Sequence, residues 1–156
     1  MNDIAILAAG CFWGIEEKFI STEGVTQTEV GYIGGNVSNP TYRDVCTGNT
    51  SHAEAVRIFF NSEIISYDSL LDLFFTIHDP TTLNQQGPDH GTQYRSAIFY
   101  LNDYQKLSGE NKIKELNAKR FQNRIVTTLE KTQEFWIAEE YHQKYIRKQK
   151  FNNYIE

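Results

Sequence analysis

Six consecutive apolar residues, Ile4-Ala5-Ile6-Leu7-Ala8-Ala9, stop abruptly at Gly10, and after Cys11 the apolar spacing becomes helical. A run this short reads as a buried strand, because strands span about 4–8 residues and helices about 10 or more. Phe12, Ile15 and Phe19 then share one helix face, with Glu16, Glu17 and Lys18 expected to turn away from it. A buried strand passing through one glycine into a helix calls for helices packed against a sheet.

The rest of the chain fits that layering. Residues 26–33 are β-rich and end at Gly34-Gly35, a turn signal, and residues 54–60 alternate as a strand does. Residues 64–77 contain a helix with Ser66 as its N-cap, and Leu70/Phe74 and Leu71/Phe75 sit one helical turn apart. Residues 79–94 form a long polar connection, and loops of that length in a compact fold are usually functional or disordered. Strands are expected at 96–101 and 125–129, an amphipathic helix at Asp103–Lys119, and a last helical turn or two within 135–145. The polar tail, from about residue 149, is expected to be mobile. The fold class expected is α+β, a two-layer sandwich with a mixed, mostly antiparallel sheet, forming one domain over residues 1–156.

Composition narrows the function classes. The net charge of −5 argues against a nucleic-acid partner, which needs a basic surface. No apolar run reaches 18 residues, and Met1-Asn2-Asp3-Ile4 carries no basic segment, so neither a membrane span nor a signal peptide is expected. The two cysteines, Cys11 and Cys46, form no CxxC, and the histidines do not fall at metal-site spacing. His52 and His90 read as ordinary loop residues, and no metal is expected. A reducing, cytoplasmic setting and a monomeric state are the expectations.

Cys11 stands between a buried strand and a helix start. Free N–H groups and about half a positive charge at that end favour thiolate, so its pKa should fall. Gly10 permits the sharp turn, and Phe12 and Trp13 place two aromatics beside the sulfur. Position alone leaves two readings open, a reactive thiolate and a small buried cysteine. Glu54 shares a strand face with Val56, Ile58 and Phe60. If that face is the core, desolvation raises its pKa and keeps it protonated, as a general acid requires; the alternative is a solvated carboxylate at a strand start. Tyr42 and Tyr94 end two loop segments, where a hydroxyl can donate to a developing oxyanion or can merely pack. Asp89, between Pro88 and His90, reads by default as a turn former. Together these groups suit attack on a polarised, uncharged centre whose oxygen leaves protonated.

Read in order, the motifs resemble one family. Gly10-Cys11-Phe12-Trp13-Gly14, Gly31-Tyr32-Ile33-Gly34-Gly35, Asn39-Pro40-Thr41-Tyr42, Val45-Cys46-Thr47-Gly48 and His52-Ala53-Glu54-Ala55-Val56 are similar to peptide methionine sulfoxide reductase A. So are Asp89-His90-Gly91-Thr92-Gln93-Tyr94-Arg95-Ser96 and Ala138-Glu139-Glu140-Tyr141-His142-Gln143. The resemblance implies reduction of the S epimer of methionine sulfoxide, in peptides or as the free amino acid. It implies Cys11 as nucleophile, Glu54 as acid, Tyr42 and Tyr94 as hydroxyl donors and Asp89 as a supporting polar group. Phe12 and Trp13 would hold the S-methyl group. The product is methionine plus a Cys11 sulfenic acid, with no bound cofactor and with thioredoxin or glutathione and glutaredoxin as external reductant.

Family members often carry resolving cysteines in a C-terminal tail, and Phe151-Asn152-Asn153-Tyr154-Ile155-Glu156 holds none. A one-cysteine cycle is therefore expected, with Cys46 the only alternative partner; a direct bond would need Cα atoms within about 7 Å. Two competing functions fit parts of the pattern. One is a thiol peroxidase, which favours an arginine beside the sulfur. The other is a binding module that recognises oxidised methionine without turnover.

Overall fold

The structure, a computed structural model, describes residues 2–155. The N-terminal run forms β1 (Asn2–Ala9), followed by α1 (Phe12–Ile20), β2 (Val25–Ile33), the five-residue α2 (Tyr42–Cys46) and β3 (Ala53–Asn61). Then come α3 (Tyr67–Ile77), a two-strand hairpin of β4 (Gln85–Gln86) and β5 (Asp89–His90), β6 (Ser96–Tyr100) and α4 (Asp103–Lys119). The chain closes with β7 (Thr128–Lys131), β8 (Trp136–Ile137) and α5 (Tyr145–Ile155). Six strands make one sheet in the order β7-β6-β1-β3-β2-β8. Every pairing in it is antiparallel except β6 with β7, so the sheet is mixed and mostly antiparallel within an α+β fold.

The order explains why β1 is apolar at successive positions. It lies inside the sheet, with β3 on one side and β6 on the other. Ala5, Leu7 and Ala9 point into the larger core, beneath Phe12, Ile15 and Phe19 of α1 and Leu70, Leu71, Phe74 and Phe75 of α3. Ile6 and Ala8 point the other way, into a smaller cluster closed by Phe99 and Phe135. A strand buried on both faces has no polar position, because successive side chains alternate between them. Each fully buried Leu or Phe contributes about 1.5–3 kcal/mol.

Several expectations shift. α3 begins at Tyr67, and the Ser66 hydroxyl accepts from the Ser69 N–H as an N-cap does. α4 has the expected length, but its buried residues are Gln105, Ser108 and Gly109, while Tyr104 and Leu107 are exposed. Small residues win that face because Gly109 lies against Leu129 and leaves no room for a side chain. The strand expected at 125–129 begins at Thr128 and is the parallel edge, held beside β6. Residues 135–145, read as helical, instead form β8 and a 3₁₀ turn at Glu140–His142, and the last helix begins at Tyr145. Strand β8 pairs with β2, and that edge pairing overrides local helix preference. The polar tail continues within α5. Residues 79–94 are ordered around the β4–β5 hairpin and a 3₁₀ turn at Thr92–Tyr94.

His78 closes α3. Its Nδ1 lies 2.6 Å from the Phe74 carbonyl and its Nε2 2.8 Å from the Ser96 hydroxyl, which meets the Thr127 hydroxyl at 2.7 Å. A carbonyl only accepts, so the proton sits on Nδ1 and Nε2 accepts from Ser96. Burial pushes the imidazole down to about 4. Stability from neutral His78 is complete above its ordinary 6.5 and is lost as pH falls towards 4.

Candidate active site

The site is built at the turn from β1 into α1. Gly10 has φ +97°, and a Cβ there would meet the Gln86 side chain at 2.8 Å, so only glycine brings β1 into α1 beneath the β4–β5 hairpin. Cys11 follows as the N-cap of α1, partly exposed. It makes no side-chain hydrogen bond of capping geometry, but the N–H groups of Trp13 and Gly14 face its sulfur. The Phe12 N–H donates instead to Glu54 Oε1 at 3.2 Å. The first free donors of α1 are thus divided between a thiol and a carboxyl.

Glu54 comes from β3 and is 1 % exposed. Its face carries Val56, Ile58 and Phe60 into the α1 core, as the alternation predicts. Burial lifts its carboxyl to about 7; the Phe12 N–H opposes this, and the charge of Asp89 adds to it. Oε2 is buried and has no hydrogen-bond partner among the described residues. Because Oε1 already accepts an N–H, the carboxyl proton belongs on Oε2.

The expectation for the Cys11 thiol is reversed. Burial pushes it up; the Trp13 N–H pulls it down but not far enough, and the Glu54 and Asp89 carboxylates push it further up. Helix-end stabilisation of a thiolate is real here, but desolvation and two neighbouring acids outweigh it. When Glu54 holds its proton, that part of the opposition disappears. The protonation of Glu54 therefore couples to that of the thiol through charge.

Tyr42 is the first residue of α2, whose N-cap Thr41 forms a capping box with Asp44. The Tyr42 hydroxyl donates to the Cys46 thiol one turn later. Burial raises Tyr42, and raises Tyr94 to about 12; the charge of Glu54 adds to both. Tyr94 also feels Asp89, Cys11 and Cys46. The structure thus gathers Cys11, Tyr42, Tyr94 and Asp89 within electrostatic reach of Glu54. Phe12 is fully buried, its ring 5.8 Å from Tyr32, while Trp13 is half-buried at the rim. His52 is more than a loop residue: it is buried, its Nδ1 accepts from the Gly35 N–H and its Nε2 lies 2.7 Å from the Val37 carbonyl, so it shapes the loop that leads to Tyr42.

Sequence reasoning missed the segment 138–145, which lies across the site. Trp13 Nε1 donates to His142 Nδ1 at 2.9 Å, and Tyr145 stacks on Trp13 at 3.8 Å between ring centroids. His142 Nε2 must then carry the proton, and it is buried with no partner among the described residues. Glu139 accepts from the Tyr32 hydroxyl and the Tyr42 N–H, each at 2.8 Å. Gln143 exchanges two 2.9 Å bonds with the Val30 backbone, in the manner of a neighbouring strand. Glu16, expected to face solvent, is 1 % exposed. It accepts from the Thr28 hydroxyl at 2.8 Å and the Lys144 N–H at 2.7 Å, and pairs with Lys144 Nζ at 3.2 Å. A helix face that looks outward by spacing becomes buried when a distant segment covers it. The motif Ala138–Gln143 was visible, but nothing local assigned its side chains to a partner.

Glu54 and His78 give opposite pH dependences of stability. Glu54 is raised, so the stability of its neutral form is complete below its ordinary 4.5 and is lost as pH rises through about 7. In the wild-type protein the two effects offset over nearly one window. Glu54→Gln leaves His78 alone, so its unfolding free energy is expected to fall by about 3 kcal/mol more than that of wild type from pH 8 to pH 4. Urea melts at the two pH values measure this, and parallel profiles would remove Glu54 from the buried titrating groups.

Comparisons with known proteins agree in one direction. Residues 3–156 match the profile of the peptide methionine sulfoxide reductase family. A peptide methionine sulfoxide reductase of Pelagibacter ubique is 56 % identical over 146 residues, covering 94 % of this chain and 99 % of the relative. The reduced form of Mxr1 from Saccharomyces cerevisiae superposes with a TM-score of 0.89 at 39 % identity, covering 94 % of this chain and 85 % of that one. The same yeast protein in complex with Trx2 superposes with a TM-score of 0.67 at 28 % identity, covering 92 % and 84 %. With the profile spanning nearly every residue and a relative more than half identical along its whole length, the chain belongs to the peptide methionine sulfoxide reductase family.

Proposed function

We propose that this peptide methionine sulfoxide reductase works through Cys11 as nucleophile and Glu54 as the acid, acting on the S epimer in peptides or as the free amino acid. The observation that carries this reading is the buried Glu54 carboxyl. It is held by one oxygen to the residue after Cys11, is lifted by burial to about 7, and has its second oxygen without a partner among the described residues. A sulfoxide sulfur becomes electrophilic when its oxygen is protonated or strongly hydrogen-bonded, and Oε2 is a donor in search of an acceptor. Tyr42 and Tyr94 are the hydroxyl donors that share the oxygen, Tyr42 by turning its one proton from the Cys46 thiol to the substrate, and Asp89 is the polar group that supports them. Phe12 and Trp13 are the apolar wall for the S-methyl group.

In this scheme the Cys11 thiolate attacks the sulfoxide sulfur while Glu54 delivers its proton to the oxygen. The attack forms a bond between Cys11 Sγ and the substrate sulfur. The sulfur–oxygen bond then breaks as the hydroxyl bonds to Sγ, and the sulfur–sulfur bond breaks to release methionine and leave Cys11 as a sulfenic acid. Sulfur in the substrate is reduced and Cys11 is oxidised, two electrons each. The Cys11 thiol proton replaces the one Glu54 donates, so the protons balance. An external thiol returns Cys11 to the thiol with loss of water. A thioredoxin is supported by the yeast relative solved with Trx2; glutathione with glutaredoxin is the alternative donor.

One turnover without reductant tests this, run separately on the S and R epimers. The expected result with the S epimer is one methionine per chain and one oxygen gained on Cys11, trapped by a sulfenic-acid probe. A stoichiometric Cys11–Cys46 disulfide would replace the one-cysteine cycle. An unmodified Cys11 after product formation would remove it as nucleophile.

A further inference from the structure

We propose that Glu139 is a positioning residue for the reduction step, tying α2 to the sheet through Tyr32 and so setting where the Tyr42 hydroxyl stands over the reacting oxygen. The proposal rests on the reading of Tyr42 as a donor to that oxygen.

α2 has only five residues, far too few for a helix to hold itself in water. Its capping box, Thr41 with Asp44, is exposed and ties α2 only to itself. Val45 buries its side chain in the core, and among the described residues the hydrogen bond from the first turn of α2 to the rest of the fold goes to one carboxylate. Glu139 Oε2 accepts from the Tyr42 N–H, and Oε1 accepts from the hydroxyl of Tyr32, a fully buried residue on β2 between β3 and the edge strand β8. Burial opposes the charge on Glu139, but the Tyr42 N–H, the residue's own N–H and the Tyr32 hydroxyl together outweigh it and hold the carboxyl below its ordinary range. It therefore stays ionised, and each of its oxygens keeps an acceptor role. The Tyr42 ring is held from the same segment, with the His142 ring 4.4 Å away. The residue that anchors Tyr42 is thus nearly a hundred positions away in sequence and touches none of the reacting atoms.

Glu139→Ala is expected to lower kcat for an S-methyl sulfoxide about tenfold with KM nearly unchanged, the effect of one displaced hydrogen-bond donor. In a Tyr42→Phe background the same substitution should cost nothing further, because the hydroxyl it positions is gone. Tyr32→Phe removes one hydroxyl and keeps the buried ring, so it tests the same tie if Glu139→Ala fails to fold. Its loss should be several-fold and should also vanish in Tyr42→Phe. An equal loss with and without the Tyr42 hydroxyl would mark a general structural role and overturn the proposal. So would wild-type kcat in both Glu139→Ala and Tyr32→Phe. A Tyr42→Phe enzyme with wild-type kcat would instead overturn the donor reading on which the proposal stands.

Discussion

Cys11→Ser is expected to abolish sulfoxide reduction while leaving the protein folded. A serine hydroxyl is too weakly acidic to supply an anion at this helix end, and an oxygen cannot take the second oxygen to form the sulfenic acid. The fold should not suffer. Cys11 occupies the N-cap of α1 without a capping hydrogen bond, and serine is a preferred N-cap. The variant should therefore be as stable as wild type, or more stable by about 0.5–1 kcal/mol. Steady-state assays with a thiol reductant, alongside thermal melts, check both halves. Cys46→Ser is the control, and it should keep turnover. Activity in Cys11→Ser that disappears when Cys46 is also replaced would move the nucleophile to Cys46.

Glu54→Gln should slow reduction by about 10²–10⁴-fold, the range for loss of a general acid, and should change the shape of the pH profile. The reactive pair shares one proton: Glu54 keeps it and Cys11 has lost it. In wild type, kcat/KM should rise with pH through about 7, where the doubly protonated pair loses its first proton. It should fall again only above 9.0, the ordinary value of the thiol, because burial places Cys11 higher. Glutamine cannot titrate. The variant should show one ascending limb, set by Cys11 alone, with no descending limb at high pH. The Cys11 limb should also move down, because the Glu54 charge that opposes the thiolate is gone. A variant with wild-type rate at neutral pH, or one that keeps the descending limb, would assign the acid elsewhere.

The two substitutions separate what could be read locally from what could not. The strand–glycine–cysteine–helix order was visible in residues 4–20, because a six-residue apolar run and a period of 3.6 are local properties of the chain. The face of Glu54 was visible too, since alternation along β3 puts it beside Val56, Ile58 and Phe60, but its burial was settled only when α1 and α3 covered that face. The direction of the Cys11 shift was not visible. It depends on how much solvent the hairpin and the helix end exclude, and on two acids that are 43 and 78 residues away in sequence.

Cys11 before its helix and Glu54 on its strand were determined by sequence alone, because each follows from periodicity or a turn residue. The two tyrosines were marked by ordered motifs, but the structure puts them in α2 and a 3₁₀ turn rather than in open loop. Only the tertiary structure decided the work of residues 138–145. There Glu139 ties Tyr42 to Tyr32, His142 and Tyr145 enclose Trp13, and Glu16 is buried beneath Lys144. The physical reason is range. Periodicity reports which face of an element is apolar, but a polar side chain shows its partner only when folding brings the two together.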